Sequence, residues 1–306
     1  MTFSNESIIY FWKVSMGAQI LLSEKFDLEK TAESGQCFRW RRCDSTKNSR
    51  LAYQIIAFGR SVIVSESDDL KTLYLDCSEE DAKEIWCPYF DLDTDYTAIR
   101  NTVASSDSAG LYLRTAMDYG DGIHIIRQDF FECLVTFIIS QRKNIPAITQ
   151  CVGKLCRVAG TPIENSIYAF PTPEQILSLS CHKNGDADCS FAKAGLGSCS
   201  LGYRVPYIFA AAEWMLRHPD FVKESETMTD DEVRDALMEI KGVGIKVASC
   251  VMLFGLQRMN AFPVDVWVNR AIKKAFRDES EIMNYSPNAG LIQQYIFFYE
   301  KNHPNR

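Results

Sequence analysis

L-M-E-I-K-G-V-G-I-K, Leu237 to Lys246, with P-V-D, Pro263 to Asp265, is the stretch that decides how this chain folds. It is entered through T-D-D-E-V-R-D-A-L-M-E-I, where Thr229 and Glu232 have capping-box spacing. Val233, Ala236, Leu237 and Ile240 then recur at helical spacing. Gly242 and Gly244 break that helix, and the apolar positions Val247, Ala248, Val251, Met252 and Phe254 predict a second helix from Ile245. Glycine suits the hairpin between them, because the backbone there must take costly conformations and approach a ligand closely. The hairpin amides and those of the second helix's first turn point outward without partners, which makes an anion site suited to a nucleic-acid phosphate. Taken alone, Gly-x-Gly between helices is equally compatible with a plain helix–helix turn.

Two further residues add chemistry. Lys246 falls in the first turn of the second helix, where the positive end of the dipole disfavours an ammonium, and partial burial would favour a nucleophilic amine further. Asp265 stands nineteen positions later, ahead of V-W-V-N-R-A-I-K-K-A-F at helical spacing, so it reads as an N-cap. A capping carboxylate at the mouth of a cleft can also stabilise a cation developing on a sugar ring.

L-x-x-[L/I]-x-G-V-G-x-K followed by P-V-D-x-x-V-x-R resembles the helix-hairpin-helix DNA glycosylases, and its lysine resembles their bifunctional branch, which also cuts the DNA backbone. Lys241 departs from the pattern, since the family usually has proline there; it loosens the turn and adds a cation beside the phosphate. E-S-G-Q-C-F-R-W-R (Glu33–Arg41), Y-F-D-L-D-T-D-Y (Tyr89–Tyr96), F-F-E-C-L-V-T-F-I-I-S-Q (Phe130–Gln141), L-G-Y-R (Leu201–Arg204) and G-L-I-Q-Q-Y-I-F-F-Y (Gly290–Tyr299) are similar to motifs of the 8-oxoguanine branch, in the same order.

The resemblance implies a set of roles. Lys246 and Asp265 would be catalytic. The Gly35 carbonyl would accept from N7–H of 8-oxoguanine, a proton guanine lacks, so that guanine would set lone pair against lone pair. Phe297 and Cys250 would sandwich the base, and Gln293 would read its pairing edge, with neighbouring Gln294 leaving the register open. Arg142, Asn144, Tyr203, Arg204, Lys241, Gly242, Gly244 and Trp267 would contact DNA. Two departures bear on the base opposite the lesion. Gln141-Arg142-Lys143-Asn144 replaces an asparagine run that helps handle the widowed cytosine, and Ala147 replaces an arginine that some members aim at it. A weaker preference for cytosine is therefore expected. Trp267 stands where some members have histidine.

Composition is compatible with this. With 306 residues and 46% hydrophobic content, two or three packed units can form. No apolar run long enough for a membrane span and no signal-peptide start appears, so an intracellular protein without membrane association is expected. The net charge of −7 argues mildly against nonspecific nucleic-acid affinity and leaves room for a local cationic face from Arg142, Lys143, Arg204, Lys241, Lys246 and Arg270. The eleven cysteines show no CxxC, and none follows Cys250, where some relatives carry an iron–sulfur cluster. Cys181, His182, Cys189 and Cys199 lie close together, in a spacing that matches no zinc motif. Neither metal nor cofactor is expected.

The fold expected is α+β: an N-terminal antiparallel β-sheet domain (1–120), then a mostly α-helical helix-hairpin-helix core (121–306). Residues 20–118 read as strand-rich, with R-W-R-R, Leu51–Phe58 and Ser61–Ser65 as strands and a hairpin turn at Gly59-Arg60. Glu80–Trp86, Arg127–Ser140, Ile145–Ala159, Val205–His218, Val266–Phe276 and Ala289–Asn302 read as helices, and Cys181–Cys199 as an irregular loop. The partner expected is double-stranded DNA carrying an oxidised purine, bound by a monomer. Two alternatives stay open: a relative acting on another damaged base, and a noncatalytic DNA-binding module, which would need neither Lys246 nor Asp265.

Overall fold

The computed structural model describes residues 17–43, 51–103, 107–179 and 195–304. Its first unit is a five-stranded antiparallel sheet built from β1 (Ala18–Leu21), β2 (Trp40–Cys43), β3 (Leu51–Ala57), β4 (Arg60–Glu66) and β5 (Thr72–Leu75), with α1 (Leu28–Glu33) between β1 and β2. The spatial order is β1-β5-β4-β3-β2. In the β3–β4 hairpin Ala57 pairs with Arg60. The turn is therefore Phe58-Gly59, one residue earlier than expected, and Arg60 opens β4. A two-residue hairpin closed by a type I′ turn has both central residues left-handed. Gly59 (φ 70°) adopts this freely; Phe58 (φ 50°) is held there with its ring edge-on to Tyr89.

Beyond the sheet the chain is helical. α2 (Glu79–Asp81) and α3 (Cys87–Tyr89) flank a π-helical turn at Ala82–Trp86. α4 (Tyr96–Asn101), α5 (Ser108–Tyr119), α6 (Phe130–Ser140) and α7 (Ile145–Ala159) follow. A small hairpin of β6 (Pro162–Glu164) and β7 (Ile167–Tyr168) leads to α8 (Pro173–Ser178). Then come α9 (Val205–Arg217), α10 (Phe221–Ser225), α11 (Asp230–Met238), α12 (Ile245–Gly255), α13 (Val266–Ala275), α14 (Ser280–Met283) and α15 (Ala289–Asn302). Five helices, α1 to α5, lie in the stretch that reads as strand-rich, where a helix is expected only over Glu80–Trp86.

Two apolar cores result. One lies under the sheet and holds Phe26, Trp40, Ile55, Leu73, Trp86 and Phe90. The other lies among the helices and already includes Tyr96, Val103, Leu113 and Met117 from the α4–α5 region. α6 runs through its middle: Phe130, Phe131 and the seven residues Cys133–Ile139 are all buried, as expected for a helix apolar on every side. The units are joined through the segment that follows Gly35. Phe38 enters the helical core against Phe137, and Arg39 pairs with Glu132 of α6 at 2.9 Å. α12 and α15, buried along most of their lengths, form the walls that carry the site. No helix among the described residues is long and apolar enough to cross a membrane.

Candidate active site

The capping box at Thr229 and Glu232 starts α11 as expected: Glu232 N donates to Thr229 Oγ1 at 3.3 Å, and Thr229 N donates to Glu232 Oε2 at 2.7 Å. The hairpin then separates its two glycines by role. Gly242 has φ 92°, and a Cβ there would lie 2.2 Å from Cγ of the Tyr207 ring. Its need for glycine comes from the protein itself, and its carbonyl accepts from Gln141 Nε2 at 2.9 Å. Gly244, the N-cap of α12, has ordinary extended φ (−106°) and nothing within 4 Å of a would-be Cβ. No side chain among the described residues caps α12, so its first-turn N–H groups are left without a capping acceptor. Gly242→Ala is therefore expected to destabilise the fold by about 3 kcal/mol. Gly244→Ala should leave stability within about 0.5 kcal/mol and weaken binding of an abasic-site duplex. Urea unfolding and fluorescence anisotropy measured on both variants would check this, and a Gly244→Ala chain with native DNA affinity would contradict it.

Beside the hairpin a cavity of about 830 Å³ opens between α12, α15, the start of α13 and the Ser34-Gly35 turn. Two helical rows at spacings of four line it: Lys246, Cys250 and Phe254 on α12, and Gln293, Phe297 and Lys301 on α15. Gly35, Arg142, Asn144, Asp265 and Trp267 complete the expected set found here. Sequence reasoning missed Lys301 and Phe254, although the step of four from Phe297 and from Cys250 leads to each.

Asp265 is the N-cap of α13. Its Oδ1 accepts from Trp267 N at 3.0 Å and Val268 N at 2.9 Å. Burial pushes its carboxyl above the ordinary carboxylate range, against the pull of those donors and of the Lys246 charge. Lys246 itself is exposed along the cleft, without the partial burial that would favour the neutral amine further, because it leaves the uncapped first turn of α12 on the open side. Ile245 and Val266, each at the first position of its helix, are 65% and 76% exposed, so apolar side chains stand at the cleft mouth beside both charged groups. Burial raises the Cys250 thiol to about 12, which leaves it a neutral, apolar surface for a ring.

Gly35 has φ 78°, and a Cβ on it would lie 3.0 Å from Cε1 of Phe297. Glycine is thus needed both for the turn and for the approach of that ring. The two adjacent glutamines of α15 separate cleanly. Gln294 Nε2 donates to Ser34 O at 2.6 Å. Gln293, 4% exposed and lining the cavity, has an Oε1 that is buried without a partner among the described residues.

The residues expected at DNA divide as well. Arg142 is exposed at the cavity with φ 53°, and Lys241 is exposed beside the hairpin. Asn144 caps α7 through Oδ1, which accepts from Ala147 N at 3.0 Å, leaving its amide nitrogen outward. Tyr203 is 49% exposed with the Arg204 guanidinium 4.4 Å from its ring centroid. Arg204, read from sequence as an outward cation, is buried: its guanidinium donates to the carbonyls of Gln141 and Leu201. Arg270 does not stand free either, since buried Glu300 pairs with it at 3.7 Å. Cys181, His182 and Cys189 lie outside the described residues, among which no cluster of His, Cys, Asp or Glu is placed to hold a metal.

Comparison with known proteins adds independent findings. Residues 19–134 match the family described as 8-oxoguanine DNA glycosylase, N-terminal domain. The chain is similar to MBOgg1, solved in complex with a low-affinity DNA ligand: 32% identity, 95% of this chain and 97% of that one covered, TM-score 0.82. It is also similar to the Clostridium acetobutylicum 8-oxoguanine glycosylase/lyase, solved with double-stranded DNA containing cytosine opposite 8-oxoguanine, at 31% identity over 92% and 93% of the two chains and a TM-score of 0.76. A probable N-glycosylase/DNA lyase of Methanothermobacter thermautotrophicus is 27% identical, over 92% of this chain and 94% of that protein.

Proposed function

The chain belongs to the 8-oxoguanine DNA glycosylase/lyase family, and from that premise we propose that its cleft takes an 8-oxoguanine flipped from duplex DNA, excises it and then cuts the strand through Lys246. One observation carries the choice of base. The buried acceptor Gln293 Oε1 has no partner among the described residues and lies in the same cavity as Gly35. A buried acceptor without a donor is costly, so the site calls for a ligand that brings one. The pairing edge of 8-oxoguanine brings N1–H and the N2 amine to Gln293, and its N7–H meets the Gly35 carbonyl. Phe297 and Cys250 would hold the two faces of the ring.

The chemistry follows from what stands beside that pocket. The hairpin amides and Gly244 receive a phosphate of the lesion strand. The lone pair of Lys246 Nζ attacks C1′; the C1′–N9 bond breaks, its electron pair leaves with the base, and the base takes up a proton. The Asp265 carboxylate offsets positive charge on the sugar as the bond breaks. The amine loses a proton and the sugar ring opens to a Schiff base between Nζ and C1′. That cation acidifies C2′–H, and loss of this proton expels the 3′ phosphate by β-elimination. Water then releases Lys246.

The test is a panel of duplexes carrying 8-oxoguanine opposite each of the four bases, an oxidised pyrimidine and an alkylated purine. Excision with accompanying strand cleavage is expected only for 8-oxoguanine. Faster release of the pyrimidine or the alkylated purine would overturn the assignment. Ala147 offers no guanidinium to the opposite base, and Arg204 is engaged by backbone carbonyls. Rates in the panel should therefore depend only weakly on that base, and a steep fall when adenine replaces cytosine would contradict this. All the proposed residues come from one chain, which supports action as a monomer wherever the cell keeps its DNA.

A further inference from the structure

The segment Glu33–Gln36 presents four consecutive carbonyls, and three are taken by side chains from distant elements. Lys301 Nζ donates to Glu33 O at 2.6 Å. Gln294 Nε2 donates to Ser34 O at 2.6 Å. Gln128 Nε2 donates to Gln36 O at 2.7 Å. The Gly35 carbonyl accepts no hydrogen bond among the described residues. The Gln36 side chain adds a further tie: Nε2 donates to Ser34 Oγ and His124 O, both at 2.8 Å, and Oε1 accepts from Ile126 N at 2.9 Å. Gln294 is 2% exposed, so its bond is shielded from water.

We propose that Gln294, with Lys301 and Gln128, is a positioning residue for base discrimination, pinning the neighbouring carbonyls so that the one at Gly35 stays unpaired and fixed toward the base. The proposal rests on Gly35 being the N7–H acceptor. Its physical basis is the freedom of glycine, whose adjoining peptide planes turn more easily than those of any other residue. A peptide that turned over at Gly35 would offer N–H in place of C=O. That donor suits the N7 lone pair of guanine and repels N7–H of 8-oxoguanine, so the preference would shrink or invert. Pinning the planes on both sides prevents the turn. Gln293 and Gln294 point about 100° apart on α15. One turn of the helix thus carries a residue facing the base and a residue holding the carbonyl, and the two keep a fixed relation. Burial lowers the Lys301 ammonium from its ordinary range, as expected for an amine held in the wall of the cleft.

The experiment measures affinity of the full chain, in the Lys246→Gln background that binds without forming the adduct, for duplexes carrying 8-oxoguanine or 8-oxo-7-deazaguanine. The second base has C7–H in place of N7–H and cannot donate to Gly35. The background chain should prefer 8-oxoguanine. Gln294→Leu should reduce that preference by about tenfold, the worth of one well-placed hydrogen bond, and barely change affinity for the deaza duplex. Lys301→Met, made at the half-exposed end of the helix, should shift the preference in the same direction by less, and it decides the matter if Gln294→Leu fails to fold. Equal weakening on both duplexes would mean a merely structural role and overturn the proposal. A background chain with no preference between them would overturn the reading of Gly35 itself, and the proposal with it.

Discussion

Lys246→Gln is expected to abolish the borohydride-trapped adduct with an 8-oxoguanine duplex and to slow strand cleavage by at least about a thousandfold, with no loss of thermal stability. Glutamine keeps most of the length and polarity and removes the nucleophile. Lys246 sits exposed in the first turn of α12, with no hydrogen bond or ion pair seen to any described residue. Substitutions at such positions change stability by about 0.5 kcal/mol or less. The folded cleft, its hairpin and its base pocket should therefore survive, and DNA affinity should fall only by the loss of one cation near the phosphates. The control lies in the cavity itself. Lys143 and Lys301 are the other amines in its wall, and Lys301 Nζ is turned to the Glu33 carbonyl. Trapping that persists in Lys246→Gln and disappears only when Lys301→Met is added would transfer the nucleophile to Lys301 and overturn the assignment.

How much of this was legible in the sequence varies with the range of the interactions involved. α7 and α15 begin and end where their periodicity and flanking residues place them, because Asn144 as a cap and a run of apolar residues are local signals. α1, α4 and α5 were hidden among strands. α1 has six residues, and α5 carries Gly110 near its start and packs Leu113, Ala116 and Met117 into a core completed by α15, some 170 residues onward. Lys246, Cys250, Gln293 and Phe297 were legible as motif positions, and the fold brings them to one cavity. Their surroundings were not. Arg204 looks like a free cation until the Gln141 carbonyl, 63 residues earlier in the chain, comes within reach. Gly242 and Gly244 look equivalent until the Tyr207 ring fills the space beside one of them. The separate fates of Gln293 and Gln294 depend on Ser34, 260 residues from Gln294. Patterns report which face of a helix turns inward; they carry nothing about which distant carbonyl meets it there.

Asp265→Asn and Asp265→Ala should separate the two roles of that residue. The cap uses Oδ1 as an acceptor for Trp267 N and Val268 N. Asparagine keeps an Oδ1 and is as good a cap as aspartate, whereas alanine removes the acceptor at a cost of about 1 kcal/mol. Both variants lose the carboxylate charge, so excision should slow by about 10²- to 10³-fold in each, while only Asp265→Ala unfolds at lower urea. Acidity sharpens the contrast. Burial holds the Asp265 carboxyl above its unfolded value, so the folded state binds its proton more tightly than the unfolded state does. The stability this gives is fully present below the unfolded pKa of about 4 and is lost as pH rises through the folded value. The ionised carboxylate that catalysis needs is thus carried at a cost to the fold, and Asp265→Asn should be at least as stable as the native chain at neutral pH. Native excision should fall as pH drops through the raised value, at higher pH than an ordinary carboxylate would produce, and Asp265→Asn should lack that acid limb. An Asp265→Asn chain that excises at the native rate would remove the electrostatic role and leave Asp265 only its place at the head of α13.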